Sequence, residues 1–242
     1  MPSPADWDSA PDQPDDDEVA GPAEPPEVSS DSLREVASLK PRVRALPLFA
    51  LPGTVLYPSV SLTFHIFEER YKAMVSDLLD EDRALAVALE ETEDAGPREI
   101  CGVGVITHVE DLDDGEKNIV ITGSHRARIE DLLENRPYPT AKISPLLPPP
   151  AGAGLDQLAA EVRQLALEWI FFQDSEATQQ LIQRIMLVST PGYLADFVAH
   201  HLFEDVALKQ EILETVDEGR RLTRVQGVIA SALERLKVEK DV

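Results

Sequence analysis

Three places in the sequence carry residue types that could do chemistry. His200, His201 and Glu204 fall within five positions. On a helix, His200 and Glu204 share one face, being four apart. An imidazole and a carboxylate so placed could ligate zinc, but a structural site needs three or four ligands with supporting hydrogen bonds. Cys101 could serve as a thiolate nucleophile. Its neighbours Ile100 and Val103 are apolar and Arg98 is the nearest cation, a setting that favours a buried, unreactive thiol. Arg126 and Arg128, in the stretch SHRARIE (Ser124 to Glu130), point to one side if that stretch is a strand. They could meet an anion or an RNA phosphate. Pairing with the nearby Glu130 and Asp131 is the simpler use of them.

Other catalytic signatures are missing. Nothing matches G-x-x-x-x-G-K-[ST], H-E-x-x-H or G-x-S-x-G, and a single cysteine cannot build a thiolate zinc site. The sequence therefore predicts no metal and no cofactor. The formal charge is −23, and residues 1–40 hold eleven acids and two bases, leaving −14 on the remainder. That field opposes a phosphate backbone at long range and argues against nucleic acid as a partner. No apolar run approaches the ~18 residues of a membrane span. The N-terminus has neither the basic start nor the apolar stretch of a secretory leader. With one cysteine, the expectation is a cytoplasmic protein in a reducing compartment.

The elements that would position these residues are legible from periodicity. Residues 1–41 are rich in Pro, Asp, Glu, Ala and Ser, and are expected to be a disordered acidic tail, a solubilising leader or a tether. Residues 42–147 read mostly as strand. Leu46–Leu51 is extended because Pro47 and Pro52 each disfavour helix at the residue before them, and Leu51-Pro52-Gly53 is a turn. The proline content of LPLFALPGTVLYP (Leu46 to Pro58) argues against a central strand. Val60–Ile66 alternates apolar and polar. Tyr71, Met74, Val75 and Leu78 then recur at helical spacing after Phe67. Further strands are expected at Leu85–Glu90, around Val103–Val109, at Asn118–Thr122, at His125–Leu133 and at Tyr138–Leu146, with a hairpin turn at Gly115.

Residues 148–154 form a Pro/Gly linker and residues 155–240 read as helices. The first places Leu158, Val162, Leu165, Trp169 and Phe172 on one face. Thr190-Pro191 reads as a helix start, Asp205 and Asp217 as caps. The fold class is α+β: a small, closed or partly closed, mostly antiparallel barrel with one early helix, followed by a helical bundle.

Three stretches in order carry a family resemblance. LPLFALPGTVLYPSVSLTFHIFEERYKAMV, from Leu46 to Val75, resembles the start of the N-terminal substrate-binding domain of the ATP-dependent protease Lon, with its PG turn, its H-I-F-E strand end and its R-Y helix start. GVGVITHVEDLDDGEKNIVITGSHRARI is similar to that domain's central hairpin. GYLADFVAHHLFEDVALKQEILETVDEGRRLTRV is similar to its helical segment. The resemblance spans about Arg42 to Val238 and implies a PUA-like barrel, a helical subdomain, and recognition of unfolded or partly folded proteins. Walker and peptidase motifs are absent from the sequence, which stops near Lys240, so the expectation is a free-standing, non-enzymatic binding module. Its binding surface is expected around Phe49, Leu51, Pro52, Leu56, Tyr57, Phe64 and Phe67. For any one of these, core packing is the competing use. An adaptor handing clients to a separate protease is the alternative. RNA binding follows only by fold analogy to PUA domains. A dimer is compatible with the sequence.

Overall fold

The computed structural model describes residues 36, 38–92, 95–134, 136–173 and 178–240. Residues 1–35, most of the expected acidic tail, lie outside them. The strands are β1 (Arg44–Leu51), β2 (Ser61–Ile66), β3 (Ala84–Leu89), β4 (Ile100–Asp111), β5 (Lys117–Leu133) and β6 (Thr140–Leu146). Helix α1 (Glu69–Asp80) lies between β2 and β3. The helices that follow the sheet are α2 (Leu155–Gln173), α3 (Thr178–Leu187), α4 (Pro191–Leu202), α5 (Val206–Glu214) and α6 (Glu218–Lys240).

The six strands run in the order β2-β5-β4-β3-β1-β6, and β5 also pairs with β6. Pairing thus passes round β5, β4, β3, β1 and β6 and back to β5, with β2 hung outside the ring. Closure is partial. All pairings but one are antiparallel; β1 and β3 are parallel, with Leu48 opposite Ala86. The expected α+β class and early helix are found.

Two expectations about strands are corrected. β1 is not confined to an edge. Its first half pairs with β6 (Pro47 opposite Thr140) and its second half with β3. Pro47, which has no N–H to give, stands where the ladder changes partner, so the proline is tolerated inside the sheet order. The two strands expected at Asn118–Thr122 and His125–Leu133 are one, the 17-residue β5. It stays continuous because it changes neighbours along its length, from β2 over its first third to β6 over about its last half.

The segment between β1 and β2 explains the glycines of the sheet. Leu51-Pro52-Gly53 makes the predicted turn, with Gly53 at φ +66°. The chain then lays Leu56 and Tyr57 directly across β4 and β5. A Cβ at Gly102 would collide with the Leu56 carbonyl oxygen, and one at Gly123 with the Tyr57 carbonyl oxygen. Only glycine lets the backbones approach so closely.

The core falls into three clusters. One lies under α1, built from Phe49, Leu56, Tyr71, Met74 and their neighbours. A second lies among β1, β3, β4, β5 and β6. The largest is shared, with Val55, Tyr57, Val60 and Ile100 of the barrel packed together with Val162, Leu194, Val198, Leu222 and Val225 of the helices. In α2 the buried line is Ala159, Val162, Ala166 and Ile170, while the larger Leu158, Leu165 and Trp169 flank it half-buried. Small side chains sit at the closest approach and bulky ones splay around it, a quarter-turn from the expected face.

Candidate functional site

The seven residues expected to form a binding surface part company. Phe49, Leu56 and Tyr57 are buried core, which corrects their expected place on a surface. Phe49 stacks edge-on against Phe64 and Tyr71 at 5.1 and 4.6 Å. Leu56 and Tyr57 are the residues pressed onto the glycines, and the Tyr57 hydroxyl donates to the Lys209 carbonyl oxygen at 2.6 Å. Their apolar character serves the seam, not a ligand. Leu51 and Phe64 are half-buried against the cluster under α1. Pro52 is exposed at the turn. Phe67 is 58% exposed, at the end of β2, with its ring stacked on His65 at 6.0 Å.

A second apolar surface lies at the other end of β2, where the barrel meets the helices. Pro58, Ser59 and Val60 form one wall of a groove of about 350 Å³; Leu187 to Thr190, Tyr193 and Phe197 form the other. Among the described residues that line it, none is charged. Leu187 is 81% exposed, Tyr193 42%, and neighbouring Met186 58%. The wall is held from behind by Arg163, whose guanidinium donates to the Ile185 carbonyl and, at 2.9 Å, to that of Val188. Thr190 occupies the N-cap position of α4 as expected, followed by Pro191, but its side chain makes no capping bond. The sequence reading missed Leu187 and Tyr193. The available signal is that Leu187 falls off the apolar stripe of Leu181, Ile182, Ile185 and Met186 in α3, leaving a bulky apolar group on the outer side.

The groove keeps its shape because the barrel and helices are locked by buried charge. Arg126 of β5 is buried and grips Asp196 of α4 with two bonds, 3.0 and 2.6 Å, while its Nε donates to the Leu213 carbonyl at 2.9 Å. Arg221 of α6 reaches the same carboxylate at 3.2 Å and donates to the carbonyls of Thr215 and Val216. Gln210 ties α5 to the Ile100 carbonyl at 2.9 Å. Burial lowers the pKa of Arg221, and Asp196 opposes that. The expected local partners are therefore corrected. Arg126 pairs with Asp196, 70 positions away, and the exposed Arg128 pairs with Glu99 of another segment at 2.6 Å. Buried, and with its charge already paired to Asp196, Arg126 offers no surface charge to an anion.

The reactive candidates fare similarly. Cys101 is fully buried, its thiol pushed up to about 12 by desolvation, and Sγ faces the Ala127 carbonyl. Burial, and then the adjacent His201, pull His200 down to about 3. Among the described residues no group of three His, Cys, Asp or Glu stands close enough to hold a metal ion. No helix among them is long and apolar enough to cross a membrane. What remains at the surface is apolar contact area fixed on a rigid frame.

Comparison with known proteins agrees with this frame. A family model described as the ATP-dependent protease La (LON) substrate-binding domain matches residues 45–231. The chain belongs to the Lon substrate-binding domain family. Lon protease of Trichlorobacter lovleyi is 28% identical over 207 residues, which make up 81% of this chain and 25% of that protein. Lon protease of Brevibacillus choshinensis is 27% identical over 207 residues, 82% of this chain and 26% of the other. The chain thus spans about a quarter of the length of these Lon relatives. Among solved structures, the N terminal domain of Mycobacterium avium complex Lon protease superposes with a TM-score of 0.66 at 18% identity, over 77% of this chain and 98% of that one. The Lon N-terminal domain protein from Xanthomonas campestris gives 0.57 at 20% identity, over 76% and 98%. At these identities the two structures speak for the Lon-type fold alone.

Proposed function

We propose that this Lon-family domain is a non-catalytic recognition module that binds unfolded or exposed apolar segments of other proteins. One observation carries the reading: the groove between Pro58–Val60 and Leu187–Phe197, uncharged among the described residues, with Leu187 and Tyr193 exposed in its wall and Met186 exposed beside it. Apolar side chains so exposed, beside a fixed concavity, are the usual mark of a protein-binding surface. Phe67, Phe64, Leu51 and Pro52 extend the apolar surface at the far end of β2. The acidic body selects against acidic clients and favours apolar segments with basic flanks. Family membership points the same way, since the family is described by substrate binding.

The test is a titration of the folded protein with a reduced, alkylated model protein, read by fluorescence anisotropy. Binding at micromolar concentration that weakens when Leu187 is replaced by Asp is the expected result. No binding by a folded sample at those concentrations overturns the proposal.

A further inference from the structure

Strand β2 has one neighbour. It pairs with β5 from Ser61 opposite Thr122 to Ile66 opposite Lys117, and among the described residues no other backbone group bonds to Ser61–Ile66. The phase of its ladder is fixed at its start, where the Gly123 N–H donates to the Val60 carbonyl at 2.8 Å. In an antiparallel pair, bonded and non-bonded positions alternate. Leu62, Phe64 and Ile66 therefore spend their N–H and C=O groups on β5, while those of Ser61, Thr63 and His65 point to the open side. Side-chain bonds across the pairs agree. Ser61 meets Thr122 at 2.9 Å and His65 meets Asn118 at 3.1 Å, as expected where non-bonded positions bring side chains together.

Such an edge is normally blunted by a lysine, a proline or a bulge. β2 has none of these, and Ser61–Ile66 holds no Asp, Glu, Lys or Arg. It runs about 20 Å at the usual rise per residue, from the uncharged groove at Pro58–Val60 to the exposed ring of Phe67.

We propose that the open edge of β2 takes up an extended client segment as an added strand, with main-chain bonds to Ser61, Thr63 and His65. This rests on the client-binding reading above and supplies its mode: main-chain bonds hold any extended sequence, and side-chain preference is confined to the two ends. Charge decides the occupant. A second copy of the chain would bring another −23, and the end of β2 is already flanked by Glu68, Glu69 and Glu116, the last 2.9 Å from His65. An uncharged segment with basic flanks meets attraction there, and a second copy meets repulsion.

The probe is a labelled eight-residue peptide of alternating valine and threonine, with a lysine at each end, followed by anisotropy. Two further versions carry backbone N-methyl groups on alternate residues. On the intact protein, one methylated version is expected to bind like the parent and the other about ten-fold more weakly, since methylation removes donors on one edge only. The Thr63→Pro variant deletes an outward N–H and leaves the inward ladder, so it is expected to fold normally and to lose about ten-fold in affinity. If the parent peptide binds and neither methylation pattern matters, the edge proposal falls while client binding stands. The same holds if the alkylated model protein binds and the peptide does not. If neither binds, both fall. Dimerisation that depends on protein concentration and is abolished by Thr63→Pro would overturn the proposal in favour of a second copy. The methylated pair uses the unmodified protein, so the proposal stays falsifiable should Thr63→Pro fail to fold.

Discussion

Replacing Asp196 by Asn tests whether the buried charge cluster locks the helices to the barrel. Among the described residues, Asp196 is the carboxylate that pairs with both buried guanidinium groups, Arg126 and Arg221. The cluster therefore carries two positive charges against one negative. Asn keeps the shape but removes the negative charge, and turns an amide NH₂ toward guanidinium donors. Two cations are then left facing each other without a directly paired counter-ion, with only the more distant Glu218 and Asp217 acting on Arg221. Breaking a buried pair from one side costs about 3–5 kcal/mol, a large part of the ~5–15 kcal/mol that holds a domain folded. Arg126→Met makes the informative comparison. It deletes one cation and leaves Asp196 with Arg221 as a neutral pair, at the expense of an unpartnered Leu213 carbonyl, for about 2 kcal/mol. The assay is urea unfolding followed by circular dichroism. With a slope of about 2 kcal/mol per molar, Asp196→Asn lowers the midpoint by about 1.5–2.5 M and Arg126→Met by about 1 M. The charge accounting is refuted if Asp196→Asn shifts the midpoint by less than Arg126→Met, or leaves it unmoved.

Other outcomes follow from the same structure. Gly123→Ala drives a Cβ into the Tyr57 carbonyl, backbone against backbone, and is expected to lose at least ~3 kcal/mol in urea unfolding, whereas Gly152→Ala, with open space around it, stays within about 0.5 kcal/mol. His125 is lowered to about 4 by burial and then by Arg44, and His200 to about 3. Both stay neutral when folded and take up a proton more readily when unfolded, so stability is full above about pH 6.5 and falls as the pH drops toward 4. His125→Gln should flatten that decline in a series of melting curves, and an unchanged slope would exonerate His125. Leu187→Ala is expected to weaken client binding about five- to thirty-fold with little change in melting temperature, since it removes ~1–2 kcal/mol of contact that is solvent-exposed in the free protein; a fall in melting temperature instead would show that the side chain is structural.

Much of the fold was readable because its signals are local. The alternation over Val60–Ile66, the helical spacing from Tyr71 to Leu78, the hairpin at Gly115 and the caps at Asp205 and Asp217 each depend on residues a few positions apart, and each is found. Long-range features were not readable. The place of β1 inside the sheet depends on β3 and β6, which a proline count cannot anticipate. That Phe49, Leu56 and Tyr57 belong to the core depends on α1 and on glycines that arrive 46 positions after Leu56 and 66 after Tyr57. The partner of Arg126 lies on a helix with no sequence relation to β5. The groove needs Pro58–Val60 and Leu187–Phe197 to be brought together from opposite halves of the chain. Only the misplaced apolar Leu187 hinted at it.

The Tyr57 hydroxyl bond to the Lys209 carbonyl spans 152 positions, and it has a kinetic meaning. Beneath Leu56 and Tyr57 lie the glycines of the β4–β5 hairpin; above them lie helices synthesised later than the barrel. The seam between the halves cannot set until both its floor and its roof exist, so its closure is a late event. Contacts of such long separation slow folding because the loop entropy is lost before they form. During that interval Val55, Tyr57 and Val60 stand uncovered. A nascent copy of this chain thus displays the same kind of apolar segment that its finished form is proposed to recognise.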